Sequence, residues 1–346
     1  MFKIVLKWIL GVLLFLVVIF AVWQRDLVAY GIMQGQGQFE ILWNAQPIDE
    51  IIQNPNTPDS LRQRLQLTGK VRDWAVENLK LRETDNYTTL YNQKGKDVLW
   101  VLTASQPYAT ESKEWVFPVV GKVSYKGFFN YEKLEKEKAL LEEEGWETYV
   151  RPVGAWSTLG WFKDPLMSNL LFRTEGDLIN TIIHELTHAT VFVKDSLDFN
   201  ENLATFIGHQ GTLNYLKEQQ TDSSEAYKIY TGFYADRKIF SEHLLYGLRR
   251  LRTLYGRLPE NMHPYMKEHR KQALIRQIGR EIIDLPLTEP ARWQAYYFNL
   301  KPNNAYFISY ERYRGEQQEL NRQFEQDFSG NLVEFIAYYK NLYAKD

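Results

Sequence analysis

The sequence predicts an α+β fold with an N-terminal transmembrane helix, a small mixed sheet beside a histidine-bearing helix, and a mostly helical C-terminal lobe. Three observations predict it. Residues 8–23 are uncharged and almost entirely apolar. Short apolar, β-rich runs at 98–104, 114–125 and 148–153 are interleaved with helical patterns. After about residue 217 helix-type periodicity dominates to the end. The expected divisions are an anchor over 1–25, a first region over 26–217 and a helical region over 218–346.

The anchor comes first. With residues 4–6 added and Lys7 snorkelling outward, the apolar run reaches the roughly 20 residues a spanning helix needs. Trp8 and Trp23 suit the two interfaces. Ala21-Val22-Trp23 is too bulky for a small-x-small cleavage site, so an uncleaved anchor is expected. Lys3 and Lys7 place the N-terminus in the cytoplasm and the bulk of the chain outside, in the periplasm or at the cell surface.

A helix is expected over 26–42, where Gly35 and Gly37 imply close packing or a break. Residues 44–58 read as a Pro/Asn-rich connector. Leu61, Leu65, Val71, Trp74, Ala75 and Leu79 form a helical stripe over 60–81. Residues 98–104 form a strand. Residues 114–125 read as strand, turn, strand, with Pro118 at an edge or bulge. A Lys/Glu-rich helix over 130–144 presents a solvated face, and 148–153 is another strand. An aromatic loop spans 155–165. Helices are then expected over 224–255, 264–283 and 311–343, with breaks at 285–287 and 301–304.

Composition narrows the function classes. A net charge of −2 implies no general attraction to nucleic acid. The chain has no Cys, which excludes disulfides, thiolate metal ligands and a cysteine nucleophile. Aromatics make up 15% of the residues, enough both to fill a core and to line a peptide groove.

The chemistry concentrates at His184-Glu185-Leu186-Thr187-His188. On a helix, positions i and i+4 share one face, so His184 and His188 can grip one ion. Glu185 can then reach a water on that ion. This is the HExxH pattern of zincin-like metallopeptidases. Its helix starts at Thr174, a capping residue followed by Glu175 and Asp177 in the first turn, and runs to about residue 192. A second helix is expected from about Phe199 after the polar turn 194–198. A catalytic zinc site commonly has three protein ligands and one open position. Glu201, near the start of that second helix, is the expected third. Asp195 and Asp198 are the competing acids, and His209 is a further candidate. Phe199-Asn200-Glu201-Asn202-Leu203-Ala204 resembles the Asn-Glu-x-x-Ala stretch carrying the glutamate ligand of gluzincins. Asn200 is expected either to orient the site or to cap the second helix. Tyr306, Tyr310 and Tyr313 are candidates for an oxyanion donor.

Several blocks in order resemble the predicted aminopeptidase family of bacterial membrane-associated or exported zincins. They are Tyr30 with Gly35-Gln36 and Leu42; WVFPVVGKVSYKGFF at 115–129; AWSTLGWFKDP at 155–165; the HELTH and FNENLA motifs; and Asn303-Asn304-Ala305. The resemblance covers nearly the whole chain after the anchor. It implies a peptidase of the gluzincin kind, with Zn²⁺ as cofactor, Glu185 as base and a peptide as substrate. An aminopeptidase and a metalloendopeptidase are both compatible with these residues, as is a non-catalytic peptide-binding module at the membrane.

Overall fold

The computed structural model describes residues 2–117, 121–154 and 163–343, with the side chains at 2–4, 12–14, 16–18, 20, 21 and 313 outside that description. Pro118 and most of the aromatic loop, 155–162, therefore lie outside the described residues, as does the Tyr313 side chain.

The N-terminal run forms α1 (Phe2–Trp23), and α2 (Arg25–Asn44) follows after one residue. Among the described residues no helix is long and apolar enough to cross a membrane. The expected span falls partly on side chains outside them. The connector holds β1 (Gln46–Pro47) and α3 (Ile48–Gln53), both too short to leave a periodic signal. Next comes α4 (Asp59–Leu79), which buries the stripe Leu65, Val71, Trp74, Ala75 and Leu79. The strands and their one helix are β2 (Thr89–Tyr91), β3 (Trp100–Ser105), β4 (Trp115–Phe117), β5 (Gly121–Val123), β6 (Lys126–Phe128), α5 (Tyr131–Glu143), β7 (Glu147–Pro152) and β8 (Leu166–Met167).

These strands make three small sheets. One has the order β1-β2-β8 and mixes antiparallel with parallel pairing. A second, β6-β3-β7, is antiparallel, with Leu102 opposite Val150 on one side and Lys126 on the other. The third is the β4-β5 hairpin. Helix α2 continues unbroken through Gly35 and Gly37. A Cβ at Gly37 would lie 2.3 Å from Phe129 Cγ, so the glycine permits close approach rather than a break. Tyr30 Oη and Gln34 Nε2 both donate to Gly127 O at 2.9 Å, tying α2 to β6.

The rest is helical: α6 (Glu175–Thr190), α7 (Leu197–Gln220), α8 (Glu225–Gly256), α9 (Pro264–Glu281), α10 (Pro290–Asn299), α11 (Asn304–Arg314), α12 (Gln317–Phe328) and α13 (Leu332–Leu342). The single helix expected over 311–343 is therefore corrected to parts of three. Ser329 and Gly330 adopt left-handed backbone at φ 51° and 74°, and Asn331 caps the next helix through Val333 and Glu334 N–H groups. At the earlier break, the Glu316 N–H leaves the helical ladder and donates to Asn202 Oδ1 at 3.1 Å. Among the described residues apolar side chains gather in three clusters. The first surrounds α4, α6, α7, α12 and α13, the second lies among α8–α11, and the third sits under the β6-β3-β7 sheet. The helix carrying the two histidines runs through the first.

Candidate metal centre

Local chemistry fixes α6. Thr174 Oγ1 accepts from the Asp177 N–H at 3.2 Å, the cap expected at this position. Arg237 on α8 donates to both Asp177 oxygens, at 2.8 and 3.1 Å. Burial opposes ionisation of Asp177, but Arg237 outweighs it and holds the carboxyl below its usual range. Along the helix Leu178, Ile179, Ile182, Ile183 and Leu186 are at most 1% exposed. Each is worth about 1.5–3 kcal/mol of burial, enough to carry polar side chains on the opposite stripe. The helix ends at Thr190, two residues short of expectation, where Thr190 Oγ1 accepts from the Arg82 N–H.

Helix α7 starts at Leu197, after Ser196. Asn200 is buried, and its amide bonds the Val193 backbone on both sides, accepting from N–H at 2.8 Å and donating to C=O at 2.7 Å. It thus clamps the turn between α6 and α7, and Ser196 occupies the capping position. Glycine sets how closely the two helices run. A Cβ at Gly208 would lie 3.2 Å from both Asn180 O and His184 Cβ. Gly211 similarly faces Ile183 and Leu79.

This pairing brings His184, His188 and Glu201 together, with all ligand atoms within 4.8 Å of one another. His184 Nε2 and His188 Nε2 are 3.1 Å apart. Glu201 Oε2 is 3.5 Å from the first and 3.7 Å from the second. A tetrahedral ion with N and O donors at about 2.0–2.1 Å separates those donors by roughly 3.3 Å. The triangle therefore has the size of one face of such a tetrahedron, and two imidazoles with a carboxylate form a donor set suited to zinc. The three side chains are 8–15% exposed, leaving a narrow opening.

The electrostatics are coupled. Burial would raise the Glu201 carboxyl, but the two imidazoles win and hold it well below its usual range. For His188, burial works downward, yet Glu201 and then Glu185 raise it overall. Glu185 is pushed up by burial, with the imidazoles opposing and Glu201 assisting. Its carboxylate has no hydrogen-bond or ion-pair partner among the described residues. It is a partly exposed base beside the triangle, shifted towards neutrality.

The competing acids are engaged elsewhere. Asp195, at φ 58°, accepts from the Lys122 N–H at 3.4 Å and fills the space facing Gly121, so the β4-β5 hairpin rests on the α6–α7 turn. Asp198 lies 3.6 Å from Arg312 Nε. His209 Nδ1 pairs with Tyr230 Oη at 3.0 Å, and its ring stacks on Tyr234 at 3.3 Å. Tyr306 is 1% exposed within the second cluster and donates to Tyr310 Oη at 3.4 Å. Among the described residues no hydrogen bond or ring contact joins Tyr306 or Tyr310 to the triangle. Asn303 caps α11 and donates to Thr148 O, while Asn304 Nδ2 donates to the carbonyls of Gln106, Pro107 and Ala109. The two asparagines thus hold α11 against the sheet.

Tyr87 escapes sequence reasoning. It is 2% exposed, at φ 61°, and its hydroxyl has no hydrogen-bond partner among the described residues. Burial pushes that hydroxyl up, and the charges of Glu185 and Asp164 add to the effect. Its N–H donates to Asp164 O at 2.7 Å, while the Asp164 N–H donates to Asn86 Oδ1 at 3.0 Å. Lys163 pairs with Asp85 at 2.7 Å. The end of the aromatic block is therefore docked on 85–87, beside the general-base candidate. A lone Tyr in a polar loop carries no periodic signal, and only the adjoining Asp-Asn marks the turn.

A family model described as putative aminopeptidase matches residues 29–346. No curated protein matches the chain, and no solved structure does.

Proposed function

The chain belongs to the putative aminopeptidase family, and from that premise we propose that it is a zinc-dependent peptidase of the gluzincin kind, acting as an aminopeptidase. The observation that carries this reading is the triangle of His184 Nε2, His188 Nε2 and Glu201 Oε2, with edges of 3.1, 3.5 and 3.7 Å.

Those three atoms would hold the ion. When bound, zinc supplies Lewis acidity, acidifying water and polarising a carbonyl oxygen. Glu185 takes the proton of the attacking water on its carboxylate, which burial has already made more basic. The same carboxyl then passes the proton to the departing amine nitrogen. Asn200 keeps the α6–α7 turn closed and so keeps Glu201 in register with the histidines. The hairpin resting on Asp195 sits beside this turn, and β4 offers a strand edge to an extended peptide.

Anchoring to a membrane through α1 belongs to the same proposal. Its support is the apolar run itself, with Trp8, Ile9, Leu10, Phe15, Val22 and Trp23 all exposed.

The test is Glu185→Gln, which keeps the size and removes the base. Metal content should stay at the wild-type level while hydrolysis of a peptide library falls roughly 100-fold or more. Hydrolysis at the wild-type rate by this variant contradicts the assignment of the base.

A further inference from the structure

A cavity of about 780 Å³ opens between β7, α8, α10 and α11. Small-molecule pockets typically span roughly 300–1,000 Å³. None of His184, Glu185, His188 and Glu201 lines it. Its closest link to α6 is the lining residue Arg237, which pairs with Asp177 in the first turn of that helix, two turns from His184.

Six aromatic side chains contribute to the walls: Tyr149, Phe233, Phe240, Trp293, Tyr296 and Tyr310. Charge is one-sided. Arg151, Lys228, Arg237, Arg292 and Arg314 face Asp236 and Glu289. Both acids are already used. Asp236 accepts from Thr288 N–H at 3.0 Å and from its hydroxyl at 3.2 Å, and Glu289 pairs with Arg292 at 2.9 Å. Arg237 is held by Asp177, outside the cavity. Lys228 and Arg314 meet no carboxylate among the described residues. The Arg314 guanidinium instead lies 5.5 Å from the Tyr234 ring centroid. It also hydrogen-bonds the Tyr234 side chain. A guanidinium carries five N–H donors in a planar fork, so that bond leaves others to meet a planar anion.

We propose that this cavity is a binding site for a monocarboxylate with an aromatic or branched apolar body, its carboxylate held by Arg314 and Lys228. That chemistry is shared by the C-terminal end of a short peptide and by a free aryl or alkyl acid.

The full chain as purified would be titrated calorimetrically with N-acetylphenylalanine, its neutral carboxamide and Gly-Gly-Phe, with and without a chelator. The acid should bind saturably, and the carboxamide about 10-fold more weakly or worse. Arg314→Gln should weaken the acid by a similar factor, and Lys228→Gln gives a second reading should the first variant fold poorly. Tighter binding of Gly-Gly-Phe than of the acetylated acid marks a peptide end as the source, and the reverse marks a free acid. Binding should survive the chelator, so the result stands apart from the fate of the zinc reading. Equal binding of acid and amide overturns the proposal. So does loss of binding with chelator, indifference to both substitutions, or no saturation by about 10 mM.

Discussion

Gly208→Ala separates the stability of the α6–α7 pair from the geometry of the site that the pair builds. The new Cβ would lie 3.2 Å from Asn180 O and 3.2 Å from His184 Cβ, inside the 3.4–4 Å of ordinary contact. Neither atom is the far end of a flexible side chain, so α7 must retreat by a few tenths of an ångström. Such mild overpacking costs about 1 kcal/mol, at the lower end of its range. Replacing Gly by Ala inside a helix returns about 1 kcal/mol. The two offset, and unfolding stability should stay within about 1 kcal/mol of wild type. The site has no such compensation. Glu201 moves with α7, and metal donors tolerate only about 0.2 Å of displacement. Zinc affinity, measured by chelator competition, should fall roughly 10-fold, an amount that corresponds to about 1.4 kcal/mol. Unchanged zinc affinity in a variant of unchanged stability refutes the idea that close helix approach sets the donor triangle.

Two other substitutions probe the surroundings. Burial, with Arg314 and Lys238 adding, lowers the His209 imidazole to about 3, against about 6.5 in an unfolded chain. The unfolded state therefore takes up a proton that the fold refuses. The contribution is complete above pH about 6.5 and is lost as pH falls towards 3, at about 1.4 kcal/mol per unit. His209→Asn should thus narrow its stability gap to wild type by about 2 kcal/mol between pH 7 and pH 5, as read by denaturant unfolding; a gap that does not move with pH contradicts this. Tyr87→Phe removes a buried hydroxyl that has no partner among the described residues, so unfolding should show no change or a gain of up to about 1 kcal/mol. A loss larger than about 1 kcal/mol would mean that the hydroxyl is bonded in solution.

What could be read in advance was local. The Thr174 cap and the i, i+4 histidines each depend on a few neighbouring residues, and α6 displays both. Glu201 was legible because a short connector forces α7 back along α6. Less legible were features fixed by distant partners. Gly37 is compatible with either a break or close packing until Phe129 is seen against it. β1, β2 and β8 have two or three residues each, too few for alternation to register. Across the break at Ser329-Gly330, Leu320, Phe324, Phe328, Leu332, Phe335, Ile336 and Tyr339 keep recurring at three- and four-residue steps, so the sequence pattern does not register the break. Tyr87 and the cavity cations were beyond reach for the same reason. Arg151, Lys228, Arg292 and Arg314 come from four separate elements, and only packing makes them neighbours.

The central claim, that two imidazoles and a carboxylate from paired helices hold one ion, is tested most directly by metal content per chain. Elemental analysis of the purified protein should give about one zinc per chain for wild type and for Glu185→Gln. Substituting His184, His188 or Glu201 by Ala should each reduce it to near zero after dialysis, with folding intact by circular dichroism. Zinc retained at the wild-type level by Glu201→Ala, or no metal in the wild-type chain after zinc loading, would contradict the account.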